Sequence, residues 1–309
     1  MKKNAKIKHN EDRLYYAFCY TVVTFLTLIV LYPIIYIISA SFSNPDVVVH
    51  GGVWLWPKDI DLTAYKFVLE QPRIALGYKN TIFYTLVGTV INLVVTIACA
   101  YPLARKNLRG RGAIMFLFTF TMLFSAGMIP NYILIRELGM IDTRWAMLLP
   151  GAMSVYNMIV CRTFIQTNIP TEMLEAAQID GCNDFQYLFK MVLPLSKPIL
   201  AVLTLWYGVS HWNAYFNAFM YLNSEELYPL QIFLKEILVQ SKRIGPLEDE
   251  MLTFSEREHF SEYLYVTLKY CVIMVSTVPL FCVYPFHIFI SPLNKAIEST
   301  PVEQATTKF

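Results

Sequence analysis

Long apolar runs alternate along the chain with short polar stretches, and the apolar runs are each about as long as a bilayer is thick. A spanning helix needs about 20 apolar residues, because a rise of about 1.5 Å per residue must cover a hydrocarbon layer of about 30 Å. Six runs qualify, at residues 17–40, 81–104, 113–135, 145–165, 199–220 and 263–290. Pro33, Pro102, Pro150 and Pro279 fall inside them, which bundled membrane helices tolerate where neighbours satisfy the freed carbonyls. The pattern predicts an all-α membrane protein with six transmembrane helices over 17–290, between a polar segment at 1–16 and a tail at 291–309.

One polar insert, Asn168 to Pro198, has strong local signals of its own. Pro170 suits a first helical position and Gly181 suits the left-handed residue just past a helix end, so a helix is expected from Pro170 to Asp180. Asn183 with Gln186 three residues on reads as the capping box of a second helix, which has to stop near Pro194. Within the first helix Met173, Ala176, Ala177 and Asp180 recur at three- and four-residue spacing, a face with small residues at its centre that suits a groove.

Composition agrees with a membrane protein: 56% of the 309 residues are hydrophobic and only 16% are charged. The net charge of +2 says little by itself; its distribution between loops says more. Segments 1–16, 105–112, 162–198 and 291–309 carry fourteen of the 25 basic residues, and the very short loop after the second run holds Arg105, Lys106, Arg109 and Arg111. Short basic loops stay inside, so both termini and the Asn168–Pro198 insert are expected in the cytoplasm, with 41–80 and 221–262 facing outward. The first run follows a basic stretch and ends in small residues, but it is too long for a secretory h-region and is expected to remain a helix. In the outer loops, Trp54 and Trp56 read as interfacial anchors, Thr63 to Leu69 as weakly helical, and Leu230 to Val239 as an amphipathic helix on the membrane surface. The six cysteines lack pair spacing, which suggests neither a zinc site nor a disulfide framework.

Catalytic motifs are missing. There is no P-loop, no G-x-S-x-G, no H-E-x-x-H, and the five histidines are dispersed, so an enzyme has no support. The fifth run is the more informative place, because His211, Trp212, Asn213, Tyr215 and Asn217 give it polar and aromatic content that lipid exposure disfavours. As a continuous helix it places His211 and Tyr215 on one side and Asn213 and Asn217 on another, either as glue between helices or as the lining of a pathway. Asn131 and Tyr132 near the end of the third run, and Tyr156 and Asn157 inside the fourth, are further candidates for that lining. Aromatic faces with amides suit a sugar, which offers ring faces to stack and hydroxyls to bond.

The insert also carries a longer pattern. Glu175, Ala176, Ala177 and Gly181, then after nine residues Met191, Leu193 and Pro194, resemble the E-A-A-x3-G-x9-I-x-L-P signature of permease subunits of binding-protein-dependent ABC importers, with Met191 in place of the usual Ile. The surrounding sequence from about Asn80 to Pro292 is similar to the carbohydrate-uptake branch, in particular permeases of complex oligosaccharide importers of Gram-positive bacteria. The resemblance implies a type I ABC importer permease fold and a place in the bacterial cytoplasmic membrane. It also implies partners: a second homologous permease, two ABC ATPase subunits, an extracellular sugar-binding lipoprotein and membrane lipid, with no nucleic acid. No cofactor is expected on this chain, and ATP with Mg is expected in the ATPase. Glu172, Glu175, Ala176, Ala177, Asp180, Gly181, Leu193 and Pro194 become the expected ATPase-coupling residues, and translocation by alternating access the expected mechanism. An ion-coupled secondary transporter is the rival of a different class, but it calls for intramembrane carboxylates, and every Asp and Glu lies outside the six runs. The same hydropathy pattern would also suit an ABC permease for a non-sugar solute, or a membrane scaffold without cargo.

Overall fold

The computed structural model describes residues 3–240 and 265–281. The described residues are overwhelmingly helical, and they divide into two units.

The first unit takes in the described residues up to Gln71 and from Lys235 to Thr277. Its main element, α1 (Lys3–Phe42), includes an apolar stretch, Tyr15–Phe42, of 28 residues. Tyr16, Phe18, Tyr20, Phe25, Leu28 and Val30 are all exposed, so the helix is apolar around its whole circumference, as lipid or a neighbouring chain requires. The small residues at its end do a different job. Ser39 and Ser43 are buried; the Ser39 hydroxyl donates to the Leu55 carbonyl at 2.6 Å, and the Ser43 hydroxyl accepts from the Lys58 amide at 3.0 Å. Tyr65, on α3 (Thr63–Glu70), stacks on Phe42 and donates to the Ser41 hydroxyl at 2.9 Å. The loop that follows α1, including the short α2 (Pro45–Val49), is thereby fastened to the helix end. Trp54 and Trp56 remain exposed, 72% and 80%, as interfacial anchors would be.

The second unit takes in Pro72–Leu234 and the described residues from Val278 on. It is built on α4 (Pro72–Ala104), 33 residues that begin well before the expected boundary at residue 81. Against it pack α8 (Val155–Asn168) and α12 (Lys197–Trp212). Asn80, Thr81, Thr89, Asn92 and Thr96 are buried along α4 at helical spacing. Lipid tails are as apolar as leucine, so buried Leu203 and Met158 gain little by leaving lipid; small residues and hydrogen bonds have to specify the packing. The Thr96 and Tyr207 hydroxyls lie 2.7 Å apart, and the Ser154 amide donates to the same Tyr207 oxygen at 3.2 Å, which joins α4, α12 and the start of α8.

Three expected spans are not continuous helices. Residues 113–135 divide into α5 (Arg111–Leu123) and α6 (Met128–Glu137), bent by 112° at a break closed by Gly127 with φ +86°. Residues 145–165 divide into a single turn, α7 (Trp145–Leu148), and α8; Pro150 lacks an amide proton, Gly151 has φ +77°, and Ser154 caps α8 by accepting from the Asn157 amide. Residues 199–220 divide after Trp212 into α12 and α13 (Tyr215–Tyr221), with Asn213 and Ala214 between them. Among the described residues two helices are long and apolar enough to cross a membrane, or four if each of two bent pairs counts as one span; α15 (Tyr265–Phe281) is a shorter apolar helix, and the rest of the expected sixth span lies outside the described residues. A further correction concerns α14 (Leu230–Gln240), expected on the membrane surface. Leu230 and Phe233 are buried, and both lie so near Gly77 that a Cβ there would sit within 2.9 Å of them, so the apolar face is spent on α4.

Candidate coupling surface and translocation cleft

The Asn168–Pro198 insert forms the expected elbow. α9 (Thr171–Ile179) starts after Pro170, whose extended φ and ψ make it the cap, and ends at Asp180. Gly181 follows with φ +78°, a region that costs a side-chain-bearing residue roughly 1 kcal/mol or more. Asn183 and Gln186 make both hydrogen bonds of the capping box, at 2.8 and 3.1 Å, at the head of α10 (Asp184–Tyr187). The chain then widens into a π-helical segment, Leu188–Val192, and continues as α11 (Leu193–Leu195), which carries Pro194 and turns by 80° at Ser196 into α12.

The expected free face of α9 is divided. Ala177 is 2% exposed and packs with Ile165, Ile169, Tyr187 and Val192, and Met173 joins the edge of that cluster. Ala176, Asp180, Glu172 and Glu175 remain exposed, and Leu193 is half-buried while Pro194 is exposed. The outward surface therefore combines two carboxylates a helical turn apart with Ile179, Phe185 and Phe189, which are 86%, 75% and 65% exposed. Sequence reasoning did not single out these three apolar side chains.

One ion pair ties the elbow to the end of α4, and a second device ties α8 to that same end. Arg105, just past the end of α4, forms an ion pair with Asp184 on α10 and lies over the Tyr101 ring at 5.8 Å. Burial opposes the Arg105 charge most strongly, but the hydrogen bonds and charges of Asp184 and Tyr101 together outweigh it and hold the guanidinium above its usual value. Burial likewise pushes the nearby Tyr187 phenol up. The second device satisfies the end of α4. The last carbonyls of a helix have no internal partners. Arg162 Nε donates to the Leu103 carbonyl at 2.9 Å and Gln166 Nε2 to the Ala104 carbonyl at 3.0 Å, both from α8.

Of the residues expected to line a pathway, His211, Asn213 and Asn217 share one polar cleft of about 290 Å³ with Asn92, Ser210 and the Pro150–Gly151 turn. The break after Trp212, rather than a continuous helical face, brings them together. Asn92 organises its wall: Nδ2 donates to the Gly151 carbonyl at 3.3 Å, and this fixes Oδ1 toward His211 Nε2, also at 3.3 Å, so Nε2 carries the proton. Asn213 Nδ2 is turned back onto the Val209 carbonyl at 3.0 Å, and its oxygen accepts from Gln231 at 3.4 Å. The remaining candidates lie elsewhere. Trp212 is buried beside Tyr78, Tyr215 stacks on Phe219, and Tyr132 stacks on Tyr221. Tyr156 lies beside Trp206 with much of its surface exposed, Asn131 is exposed on α6, and Asn157 is buried at the start of α8. Asn92 went unpredicted, although its place in the Thr89, Asn92, Thr96 series was a signal.

Comparison with known proteins locates this arrangement. Residues 12–228 match the family described as "Binding-protein-dependent transport system inner membrane component". The chain is 38% identical over 276 residues, 89% of its length and 94% of the relative's, to the polygalacturonan/rhamnogalacturonan transport system permease protein YtcP of Bacillus subtilis (strain 168). It is 37% identical over 258 residues, 84% and 85% of the two chains, to protein LplC of the same organism. Among solved structures it superposes with TM-score 0.78 and 38% identity, over 89% of this chain and 96% of the other, on a chain of a bacterial ABC transporter involved in the import of the acidic polysaccharide alginate.

Proposed function

Because the chain belongs to the family of inner membrane components of binding-protein-dependent transport systems, a family of permeases and not of enzymes, we propose that it is the pore-forming subunit of an ATP-driven importer of acidic oligosaccharides. In this reading the six apolar runs are its spans, and the distribution of basic loops puts both termini in the cytoplasm. The polygalacturonan/rhamnogalacturonan permease and the chain of the transporter that imports the acidic polysaccharide alginate are each 38% identical to this chain, which supports a saccharide bearing carboxylates as cargo.

The observation that carries the reading is the capped elbow of α9 and α10. It is bounded by Pro170 and by the Asn183–Gln186 capping box, anchored inward through Ala177 and Asp184, and presents Glu172, Glu175, Ile179, Phe185 and Phe189 on its exposed side. Such an element transmits a push without melting. An ATPase subunit that receives this surface in a groove and closes on ATP moves the elbow, and the Ala177 cluster and the Arg105–Asp184 pair hand the displacement to α8 and α4. α4, α8 and α12 then rock about their shared polar contacts and open the cleft alternately to the two sides. ATP and Mg belong to that ATPase; this chain supplies no catalytic group. In the cleft, Ser210, His211, Asn213 and Asn217 provide hydroxyl, imidazole and amide groups for sugar hydroxyls and carboxylates, and among the described residues no Asp or Glu lines it to repel an acid. The second permease and the extracellular binding lipoprotein complete the assembly.

Purification from the native membrane, followed by uptake assays in proteoliposomes with oligogalacturonides and with neutral oligosaccharides of equal length, tests this. Co-purification of an ATPase with uptake of the acidic series is expected. Absence of any ATPase removes the importer reading, and uptake of the neutral series alone removes the acidic cargo.

A further inference from the structure

Between the segment that follows α4 and the outer side of α9 runs a cleft of about 580 Å³. Its wall brings together Arg105, Lys106 and Arg111 against a single carboxylate, Glu175. Arg105 is committed to Asp184. Arg111 is not committed: its Nη1 is shielded from solvent and has no hydrogen-bond partner among the described residues. Arg162, whose Nε is spent on the Leu103 carbonyl, stands close enough for its charge to act against that of Arg111. A shielded guanidinium nitrogen beside a like charge is costly unless an anion joins it. Glu175 lines the same cleft yet forms no ion pair with Arg111 among the described residues.

We propose that this cleft binds a phosphate-bearing anion, with Arg111 as its principal ligand and Lys106 as the second. A guanidinium fork and an ammonium match the several oxygens of a phosphoryl group, and Asn107 and Gln178 in the same wall offer further N–H donors. The position supports the choice: basic pockets at the cytoplasmic surface of membrane proteins face anionic headgroups and soluble phosphate esters alike. The bound anion bridges the loop after α4 to the helix carrying Glu175, in parallel with the Arg105–Asp184 pair, and so sets how firmly α9 is held. This effect on coupling rests on the importer reading above; binding itself does not.

The test uses the full chain with its co-purifying partners in phosphatidylcholine nanodiscs. The thermal midpoint is followed as inorganic phosphate is titrated in, and separately as phosphatidylglycerol replaces part of the phosphatidylcholine. A rise with phosphate identifies a free anion as the ligand, and a rise with phosphatidylglycerol alone identifies a headgroup. Arg111→Gln and Lys106→Gln should each weaken the response about tenfold in apparent affinity, a loss of about 1.4 kcal/mol. Arg111→Lys should keep part of it, and Lys197→Gln, outside the cleft wall, should leave it unchanged. No rise with either probe, or an undiminished rise in Arg111→Gln, overturns the site. If Arg111→Gln fails to assemble, the wild-type titration and Lys106→Gln decide. None of these readouts involves transport, so a failed site leaves the importer reading to be judged separately by ATPase co-purification.

Discussion

The imidazole of His211 rests directly on the backbone of Gly88: a Cβ built at position 88 would lie 2.5 Å from both Cε1 and Nε2 of the ring. α4 is cut away where α12 carries its ring across, and the ring cannot simply swing clear, because Asn92 holds Nε2 and is itself held by Gly151. Gly88→Ala gains up to about 1 kcal/mol of helix propensity. It also forces an overlap that typically costs about 1–3 kcal/mol in a packed interface. The expected outcome is a lower thermal midpoint, recovered largely when His211→Ala is added, a non-additivity that a double-mutant cycle measures. Equal stability of wild type and Gly88→Ala would mean that the two helices do not meet this closely.

Arg105 and Asp184 form the direct charged link between the end of α4 and the elbow. Asp184 is largely exposed and the Arg105 side chain is 18% exposed, so solvent screens the pair and its loss should cost only about 1 kcal/mol of stability. The functional loss should be larger. Arg105→Gln and Asp184→Asn are each expected to leave assembly intact while transport per ATP hydrolysed falls, with partial return in the exchanged pair Arg105→Asp with Asp184→Arg. Unchanged coupling ratios in both single variants would remove the pair from the transmission path.

On the side expected to face outward, Asp142 holds the segment after α13. Its carboxylate accepts from the Ser224 hydroxyl and from the Ser224 and Asn223 amides, at 2.8 and 2.9 Å for the amides. These bonds, the Ser224 hydroxyl first, hold the carboxyl below its usual value. A carboxyl depressed in the folded state contributes stability that is fully present above the ordinary range near pH 4 and is lost as pH falls through the folded value. Asp142→Asn tolerates the left-handed backbone at this position, where φ is +59°, but lacks the charge. Wild type should therefore melt above the variant at neutral pH, and the two curves should converge in acid; a gap independent of pH would contradict this role.

What could be read from the sequence follows the range of the interactions concerned. The elbow was legible because its determinants are local: Gly181 at a helix end, and Asn183 with Gln186, act within four residues. The broken spans were not. Hydropathy reports that residues 145–165 and 199–220 are apolar, but not whether Pro150–Gly151 or Asn213 interrupts the hydrogen-bond ladder inside them. That interruption decides which side chains meet, and so it gathers His211, Asn213 and Asn217 in one cleft while sending Trp212 to Tyr78. Ala177 was expected on a free face and is buried, because its partners Ile165 and Tyr187 arrive from other helices. The Arg105–Asp184 pair joins residues 79 apart in sequence, beyond any spacing rule.

Gly181 separates the two helices of the elbow with φ +78°, and among the described residues nothing lies within 4 Å of where its side chain would stand. The space is open, so a substitution there is resisted by the backbone alone. Alanine at a left-handed position costs roughly 1 kcal/mol, and a β-branched residue costs more because its second γ substituent crowds the carbonyl. Gly181→Val is therefore expected to shift the angle between α9 and α10 rather than to unfold the membrane helices, whose core lies beyond Ala177. Membrane insertion and expression should stay near wild type while ATP-driven uptake is abolished, with Gly181→Asn, which tolerates left-handed backbone, retaining a measurable fraction. The ordering Gly, Asn, Val in uptake at equal protein level is the decisive result: it ties activity to the dihedral angle. Full uptake by Gly181→Val would sink the assignment of this elbow as the coupling element.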